Sequence, residues 1–138
     1  PAKDVVEFSP KTPQLILYVY TDIDCTYCRK LHREVPELNN GGIAVRYLAF
    51  PRSGLDGDSF EKAAAVWCSA DKQKAMTEAK QGKLVNSPSC QHPVAEQFEL
   101  GKEMGVSGTP TIYTAKGEKI GGYVPAARLI QMHQDGKL

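Results

Sequence analysis

Continuous apolar runs and helix-spaced apolar residues alternate along the first half of the chain. The run Leu15–Tyr20 is aliphatic, β-branched and aromatic throughout, which is typical of a central strand buried on both faces of a sheet. Leu31, Val35 and Leu38 then recur at helical spacing. They predict a helix that ends at the Asn-Asn-Gly-Gly sequence of residues 39–42.

A proline interrupts this predicted helix. Pro36 has no N–H to donate to the carbonyl of His32, so a kink is expected there. The next apolar run, Ile43–Phe50, predicts a second strand. Because the order is strand, helix, strand with short connections, a parallel crossover unit is indicated.

The second half of the chain predicts a helical insertion followed by a hairpin and a closing helix. The expected elements are a helix in which Phe60, Ala64 and Trp67 share one face, helices at Asp71–Lys80 and Val94–Met104, a hairpin of Thr111–Thr114 with Ile120–Tyr123, and a helix at Ala126–Gln134. The order predicts an α/β fold with a mixed sheet. We expect residues 1–13 to be a lead-in with room for one edge strand, and residues 14–138 to form the domain, with the insertion at about 58–92.

Composition narrows the class of protein. The 138 residues suffice for one compact domain, and the 41% hydrophobic and 24% charged fractions are those of a globular protein. The net charge of +1 gives no reason to expect a nucleic-acid or membrane-surface partner. The longest apolar run is too short to span a bilayer.

The strongest chemical signal is a Cys-x-x-Cys pair, Cys25 and Cys28, placed where a strand gives way to a helix. A helix N-terminus offers free N–H groups and a positive dipole, and both favour a thiolate. Cys25 is therefore the expected nucleophile, and Cys28, one turn later, the more buried resolving thiol. Arg29 is expected to support the thiolate, and Asp24 to oppose it.

Two other interpretations of this pair remain open. A zinc site needs four ligands, but Cys68 and Cys90 form no second Cys-x-x-Cys and the three histidines are scattered. A structural disulfide between Cys25 and Cys28 is the other alternative. No metal and no cofactor are expected.

A second candidate lies in the loop Gly105–Thr111, which holds Thr109 and Pro110. Pro110 is either an ordinary trans proline at the start of an edge strand or a cis proline. A cis bond would turn the backbone groups of Thr109 outward, where an extended peptide can pair with them.

Three further side chains receive structural interpretations. His32 is expected on the helix surface, because no acidic residue at helical spacing orients it. Asp22 is interpreted as a turn residue whose side chain bonds to the nearby backbone, and not as a proton acceptor for Cys28. Trp67 is assigned to the core.

Taken together, these motifs resemble the catalytic, thioredoxin-like domain of the bacterial periplasmic disulfide isomerases, the DsbC family. The resemblance spans roughly residues 14–130 and rests on TDIDCTYCRKLH, IAVRYLAFPRSGLD, AVWCSADK, the Ser-Cys at 89–90 and LGKEMGVSGTPT. It implies a thioredoxin fold, with Cys25 as nucleophile, Cys28 as its resolving partner, and Thr109 and Pro110 as a cis-proline substrate contact. It also implies a structural disulfide between Cys68 and Cys90, with two unpaired thiols as the alternative.

The family further implies an enzyme that reduces or isomerises non-native disulfides of secreted proteins in the periplasm. The implied partners are misfolded disulfide-containing proteins and a DsbD-like membrane thiol reductase. Alternatives are a DsbG-type thiol or sulfenic-acid reductase and a peptide-binding chaperone module.

This chain departs from the family in two respects. Thr26 stands where the family often has glycine, and Thr26 with Tyr27 is expected to tune the redox potential. Residues 1–13 are too short for the family's dimerisation domain and linker helix. We therefore expect an isolated catalytic domain, monomeric here and homodimeric in its parent.

Overall fold

The computed structural model describes residues 4–138, so the first three residues of the predicted lead-in lie outside the described range. The strands are β1 (Val6–Phe8), β2 (Leu15–Thr21), β3 (Ile43–Ala49), β4 (Thr111–Thr114) and β5 (Lys119–Gly121). The helices are α1 (Thr26–Arg33), α2 (Val35–Asn40), α3 (Asp58–Trp67), α4 (Lys72–Lys80), α5 (Val94–Glu103) and α6 (Ala126–Gln134).

The five strands form one mixed sheet in the order β1-β3-β2-β4-β5. β2 lies at the centre and runs parallel to β3 and antiparallel to β4. β5 completes the hairpin with β4, and β1 pairs antiparallel with β3 at the other edge. The α/β class and the mixed sheet predicted from the sequence are confirmed, and β1 supplies the edge strand for which the lead-in had room.

The kinked helix expected around Pro36 is instead two short helices. α1 ends at Glu34, whose backbone N–H bonds back to Leu31 and His32. Pro36 then lies in the first turn of α2, where its missing N–H would have had no partner within the helix. The proline thus begins a new helix rather than bending an old one.

The buried face of α3 is centred on Ala63 and Val66, which the sequence places beside Phe60, Ala64 and Trp67. Ala63, Val66 and Trp67 are in the core, whereas Phe60 and Ala64 are only half-buried. The Phe60 ring faces His92 of the following loop, with ring centroids 5.8 Å apart. Phe60 therefore supports the loop that covers the helix, while Trp67 is a core residue as predicted.

α5 packs closely against the sheet. Gly101 makes this approach possible, because a Cβ at this position would lie 2.7 Å from Cδ1 of Phe50. The contact holds the chain that leads into the Thr109–Pro110 loop against the same sheet that carries the cysteine pair.

Candidate active site

Cys25 and Cys28 lie together where β2 leads into α1. Cys25 is the N-cap residue of α1, and its Sγ accepts a hydrogen bond of 3.2 Å from the backbone N–H of Cys28. Both residues are nearly inaccessible, with 3% of Cys25 and 1% of Cys28 exposed. Their sulfurs are not bonded to each other, so the site is in its dithiol form.

The loop before β4 reaches the same point from the far end of the chain. The Cys25 thiol donates a hydrogen bond of 3.2 Å to the backbone oxygen of Thr109. The Thr109–Pro110 peptide bond is cis. The structure thus brings four of the predicted site residues together: Cys25, Cys28, Thr109 and Pro110.

This environment favours the thiolate of Cys25. The hydrogen bond from the Cys28 thiol contributes most to lowering the pKa of Cys25, which falls to about 5 although burial acts against it. The Thr109 side chain, the backbone N–H of Cys28 and the charge of Arg52 lower the pKa further. Cys25 is therefore suited to attack as a thiolate at neutral pH.

The environment of Cys28 favours the protonated thiol instead. Burial raises the pKa of its thiol strongly, and the hydrogen bond to Cys25 raises it further. Only a nearby cation, Lys80, and weaker hydrogen bonds act in the other direction. The pair thus consists of one acidic thiol and one that keeps its proton.

The cation that faces Cys25 is Arg52, which the sequence reasoning missed. Arg52 follows β3, and its Nε lies 3.2 Å from the buried carboxylate of Asp22. Because β2 and β3 are parallel, the residues after both strands meet at one edge of the sheet. That rule would have placed Arg52 near Cys25 from the sequence alone.

Arg29 and Asp24 are both held by partners other than Cys25. Arg29 donates to the backbone oxygen of Ile23 and lies 3.4 Å from Asp24. Asp24 also accepts from Lys62 at 2.8 Å and from Ser59 at 2.7 Å. Its carboxylate is thus already surrounded by donors, and its opposition to the Cys25 thiolate is reduced.

Asp22 has the turn chemistry that was predicted. Its carboxylate accepts from the backbone N–H groups of Asp24 and Arg52, each at 3.1 Å. Together with the Arg52 side chain, these bonds fix the turn between β2 and α1.

The prediction that His32 lies on the helix surface is wrong. His32 is 8% exposed, and its ring nitrogens lie 2.8 Å from the hydroxyl of Tyr47 and 2.9 Å from that of Thr77. Burial, assisted by the charge of Lys80, lowers its pKa to about 3, so the ring is neutral. Its orienting partners are hydroxyls on other elements and not an acidic residue at helical spacing on α1.

A groove opens beside the cysteine pair. Its volume is about 550 Å³, and Tyr27, Thr109, Pro110 and Tyr123 are among its lining residues. The rings of Tyr27 and Tyr123 lie 5.4 Å apart between centroids, and Tyr27 is 55% exposed. Thr26, the first residue of α1, is also exposed.

Cys68 and Cys90 lie away from this pair and are joined in a disulfide. Cys68 caps the C-terminus of α3, and Cys90 lies in the loop before α5. Within residues 4–138, no group of three or more histidine, cysteine or acidic residues has the arrangement of a metal site.

Comparison with known proteins agrees with this geometry. A family model described as a thioredoxin-like domain matches residues 2–137. The thiol:disulfide interchange protein DsbC of Escherichia coli K12 is 42% identical over 123 residues, which are 89% of this chain and 52% of that protein. The DsbC of Haemophilus influenzae is 38% identical over 128 residues, 93% of this chain and 56% of that protein.

A solved structure agrees over nearly the full length of both chains. The crystal structure of a disulfide interchange protein from Neisseria gonorrhoeae superposes with a TM-score of 0.85 at 29% identity, covering 99% of this chain and 98% of that one. The predicted thioredoxin-like fold and the resemblance to DsbC are confirmed. The chain spans about half the length of the curated relatives that it matches.

Proposed function

The chain belongs to the thioredoxin-like domain family, and from that membership we propose that it is a thiol–disulfide oxidoreductase that reduces or isomerises non-native protein disulfides. The observation that carries the proposal is the contrast between the two thiols. The environment of Cys25 lowers its pKa to about 5, while burial raises the pKa of Cys28. A zinc site or a structural clip needs no such asymmetry, whereas two-step disulfide exchange does.

In the first step, the thiolate of Cys25 attacks one sulfur of a substrate disulfide. A bond forms between Cys25 and that sulfur, and the other substrate sulfur leaves as a thiolate and takes up a proton. The product is a mixed disulfide at Cys25.

The mixed disulfide then has two fates. In isomerisation, a substrate thiolate attacks it, a different substrate disulfide forms, and Cys25 is regenerated with no net redox change. In reduction, Cys28 attacks Cys25, and the substrate leaves with both sulfurs as thiols. The two electrons come from the Cys25–Cys28 dithiol, which is oxidised to a disulfide.

We further propose that the substrate lies in the groove beside Pro110. The pair of Tyr27 and Tyr123 offers an apolar wall, and the backbone of Thr109 lies directly beside the attacking sulfur. An extended chain that pairs with this backbone would bring its disulfide to Cys25. Thr26 and Tyr27, between the cysteines, are proposed to tune the redox potential.

The remaining proposals follow the relatives named DsbC. They comprise a periplasmic location, misfolded disulfide-containing proteins as substrates and a DsbD-like membrane reductase as electron donor. Within residues 4–138, no helix has both the length and the apolar character needed to cross a membrane. We also propose that this chain is a catalytic domain, monomeric by itself and homodimeric in its parent.

Three variants test the function with scrambled ribonuclease and with insulin as substrates. Cys25→Ser is expected to abolish both activities, and Cys28→Ser to accumulate a mixed disulfide that a reductant releases. Lys74→Met, a change on the exposed side of α4 and outside the proposed site, is the control that should retain activity. If Cys25→Ser still rearranges scrambled ribonuclease, the proposal is wrong.

Two further measurements separate the alternatives. A DsbG-type reductase would reduce a sulfenic acid faster than it rearranges disulfides. A chaperone module would suppress aggregation equally well after loss of both Cys25 and Cys28.

A further inference from the structure

Lys80, the last residue of α4, places a buried ammonium group behind the cysteine pair. Only 3% of the residue is exposed. Its Nζ donates to the hydroxyl of Thr21, lies 3.5 Å from the backbone oxygen of Cys28 and stands 4.7 Å from the centroid of the Tyr47 ring. Within residues 4–138, Lys80 forms no ion pair with a carboxylate closer than 4.0 Å.

Burying a cation without a carboxylate partner costs free energy. The groups around Lys80 therefore indicate which charge it stabilises. The titratable and charged groups that face Lys80 are Cys25, Cys28 and Arg29 with His32 on or beside α1, Asp22 after β2, and Tyr47 on β3. Burial lowers the pKa of Lys80 to about 8, and among the groups that raise it Cys28 contributes most. Lys80 and Cys28 are therefore electrostatic partners.

The other side chains near Cys28 cannot supply this charge. His32 is neutral and held between Tyr47 and Thr77. The carboxylate of Asp22 is held by Arg52 and has the wrong sign to favour a thiolate. Arg29 is held by Asp24 and the backbone of Ile23.

We propose that Lys80 is a positioning residue for the second exchange step, in which its ammonium group stabilises the thiolate of Cys28 as that sulfur attacks the mixed disulfide at Cys25. The inference rests on the proposed function and names the group that makes its reductive branch possible. Without such a cation, the buried Cys28 would keep its proton and the mixed disulfide would be long-lived.

The exchange step starts with a proton on both Lys80 and Cys28. One proton leaves the pair for solvent, and the second stays on Lys80 as an ammonium ion beside the thiolate. The Cys28 sulfur forms a bond with Cys25, and the bond between Cys25 and the substrate breaks. The substrate sulfur leaves with the electron pair and is protonated, so the dithiol is oxidised and the substrate is reduced.

A stopped-flow reaction with one equivalent of 5,5′-dithiobis(2-nitrobenzoate) separates the two steps. The first equivalent of coloured thiolate reports attack by Cys25, and the second reports attack by Cys28. For Lys80→Met, which keeps the shape and removes the charge, we expect the second phase at pH 7 to slow at least about tenfold, a change of roughly 1.4 kcal/mol in the barrier. The first phase should change by less than about threefold.

Control variants distinguish charge from packing. Lys74→Met makes the same change on the exposed side of α4 and should leave both phases unaltered. Lys80→Arg keeps the charge and should recover part of the second-phase rate, and the pH midpoint of that phase should lie higher in Lys80→Met than in the wild-type protein. Lys80→Gln, a second neutral variant, replaces Lys80→Met if circular dichroism shows that the latter is unfolded.

The outcomes separate the two proposals. A second phase that stays within about twofold of wild type in a folded, neutral Lys80 variant overturns the role of Lys80. Absence of a Cys25-dependent first phase in the wild-type protein overturns the proposed function itself.

Discussion

The sulfur of Cys25 lies 3.2 Å from the backbone oxygen of Thr109, although 84 positions separate the two residues along the chain. This contact joins the start of α1 to the loop before β4. The nucleophile and the proposed substrate-binding backbone are therefore in direct contact. A substitution of either residue will change the environment of the other.

The first prediction concerns the acidity of Cys25. In the folded protein its pKa is lowered to about 5, mainly by the hydrogen bond from the Cys28 thiol. The rate of alkylation by iodoacetamide should therefore rise with a midpoint near pH 5. Because the unfolded chain has a higher cysteine pKa, the reduced protein gains stability as pH rises above 5, and loses that gain as pH falls through 5.

Variants of Cys28 check the cause of this acidity. Cys28→Ala removes the hydrogen-bond donor and should raise the midpoint, whereas Cys28→Ser keeps a donor and should raise it less. A wild-type midpoint above about pH 8, the range of an ordinary cysteine, would contradict the arrangement.

The second prediction concerns the side chain of Thr109. Its hydroxyl group is buried near both thiols and lowers the pKa of both cysteines, although it makes no hydrogen bond of ordinary geometry among the described residues. Thr109→Val keeps the shape, so we expect a raised pKa of Cys25 with a free energy of unfolding that is unchanged or higher by about 1 kcal/mol. Alkylation against pH and urea unfolding measure the two effects, and Thr109→Ser, which keeps the hydroxyl, is the control. A lower Cys25 pKa in the valine variant would refute the role of the hydroxyl.

The third prediction concerns acid stability. Burial lowers the pKa of His32 to about 3 in the folded protein. Between about pH 6.5 and pH 3, the unfolded chain therefore binds a proton at this residue and the folded protein does not. The free energy of unfolding should fall as pH drops from about 6.5 towards 3, by up to about 1.4 kcal/mol per pH unit from this group.

His32→Gln can still bond to Tyr47 but does not titrate, so its unfolding free energy should vary less with pH between 6.5 and 4. His133→Gln on α6 is the matched control, since that ring is only half-buried. Equal pH slopes in His32→Gln and the wild-type protein would show that His32 is not held neutral.

The fourth prediction separates the two cysteine pairs. The disulfide between Cys68 and Cys90 closes a loop with a sequence separation of 22. Replacing both residues with alanine should lower the free energy of unfolding by about 3 kcal/mol in the chain-entropy description. Because this pair lies apart from Cys25, the alkylation midpoint of Cys25 should not move. A shifted midpoint would mean that the insertion acts on the active pair.

Local patterns were sufficient to predict most of the architecture. The continuous apolar run of β2 and the turn within the β4–β5 hairpin each depend on neighbouring residues, and both were placed correctly. An interruption of the helix near Pro36 was predicted correctly. A proline is compatible, however, either with a kink in one helix or with the first turn of a second helix. The bond from Glu34 back to Leu31 and His32 decides between them, and it is a property of the folded backbone.

The polar residues of the site were harder to predict because their partners are distant in sequence. His32 meets Tyr47 and Thr77, and Lys80 meets Thr21 and Cys28. Burial of a lysine and a histidine contradicts the usual preference of these residue types, and only the register of β2 and β3 together with the placement of α4 explains it.

The central position of β2 has a consequence for the order in which the protein comes apart. Its amides are bonded between β3 and β4, so their exchange with deuterated solvent requires the sheet to open. Cys25 follows this strand by only a few residues. We therefore expect the β2 amides to be among the slowest to exchange, and the reactive sulfur to stay close to the part of the sheet that opens last.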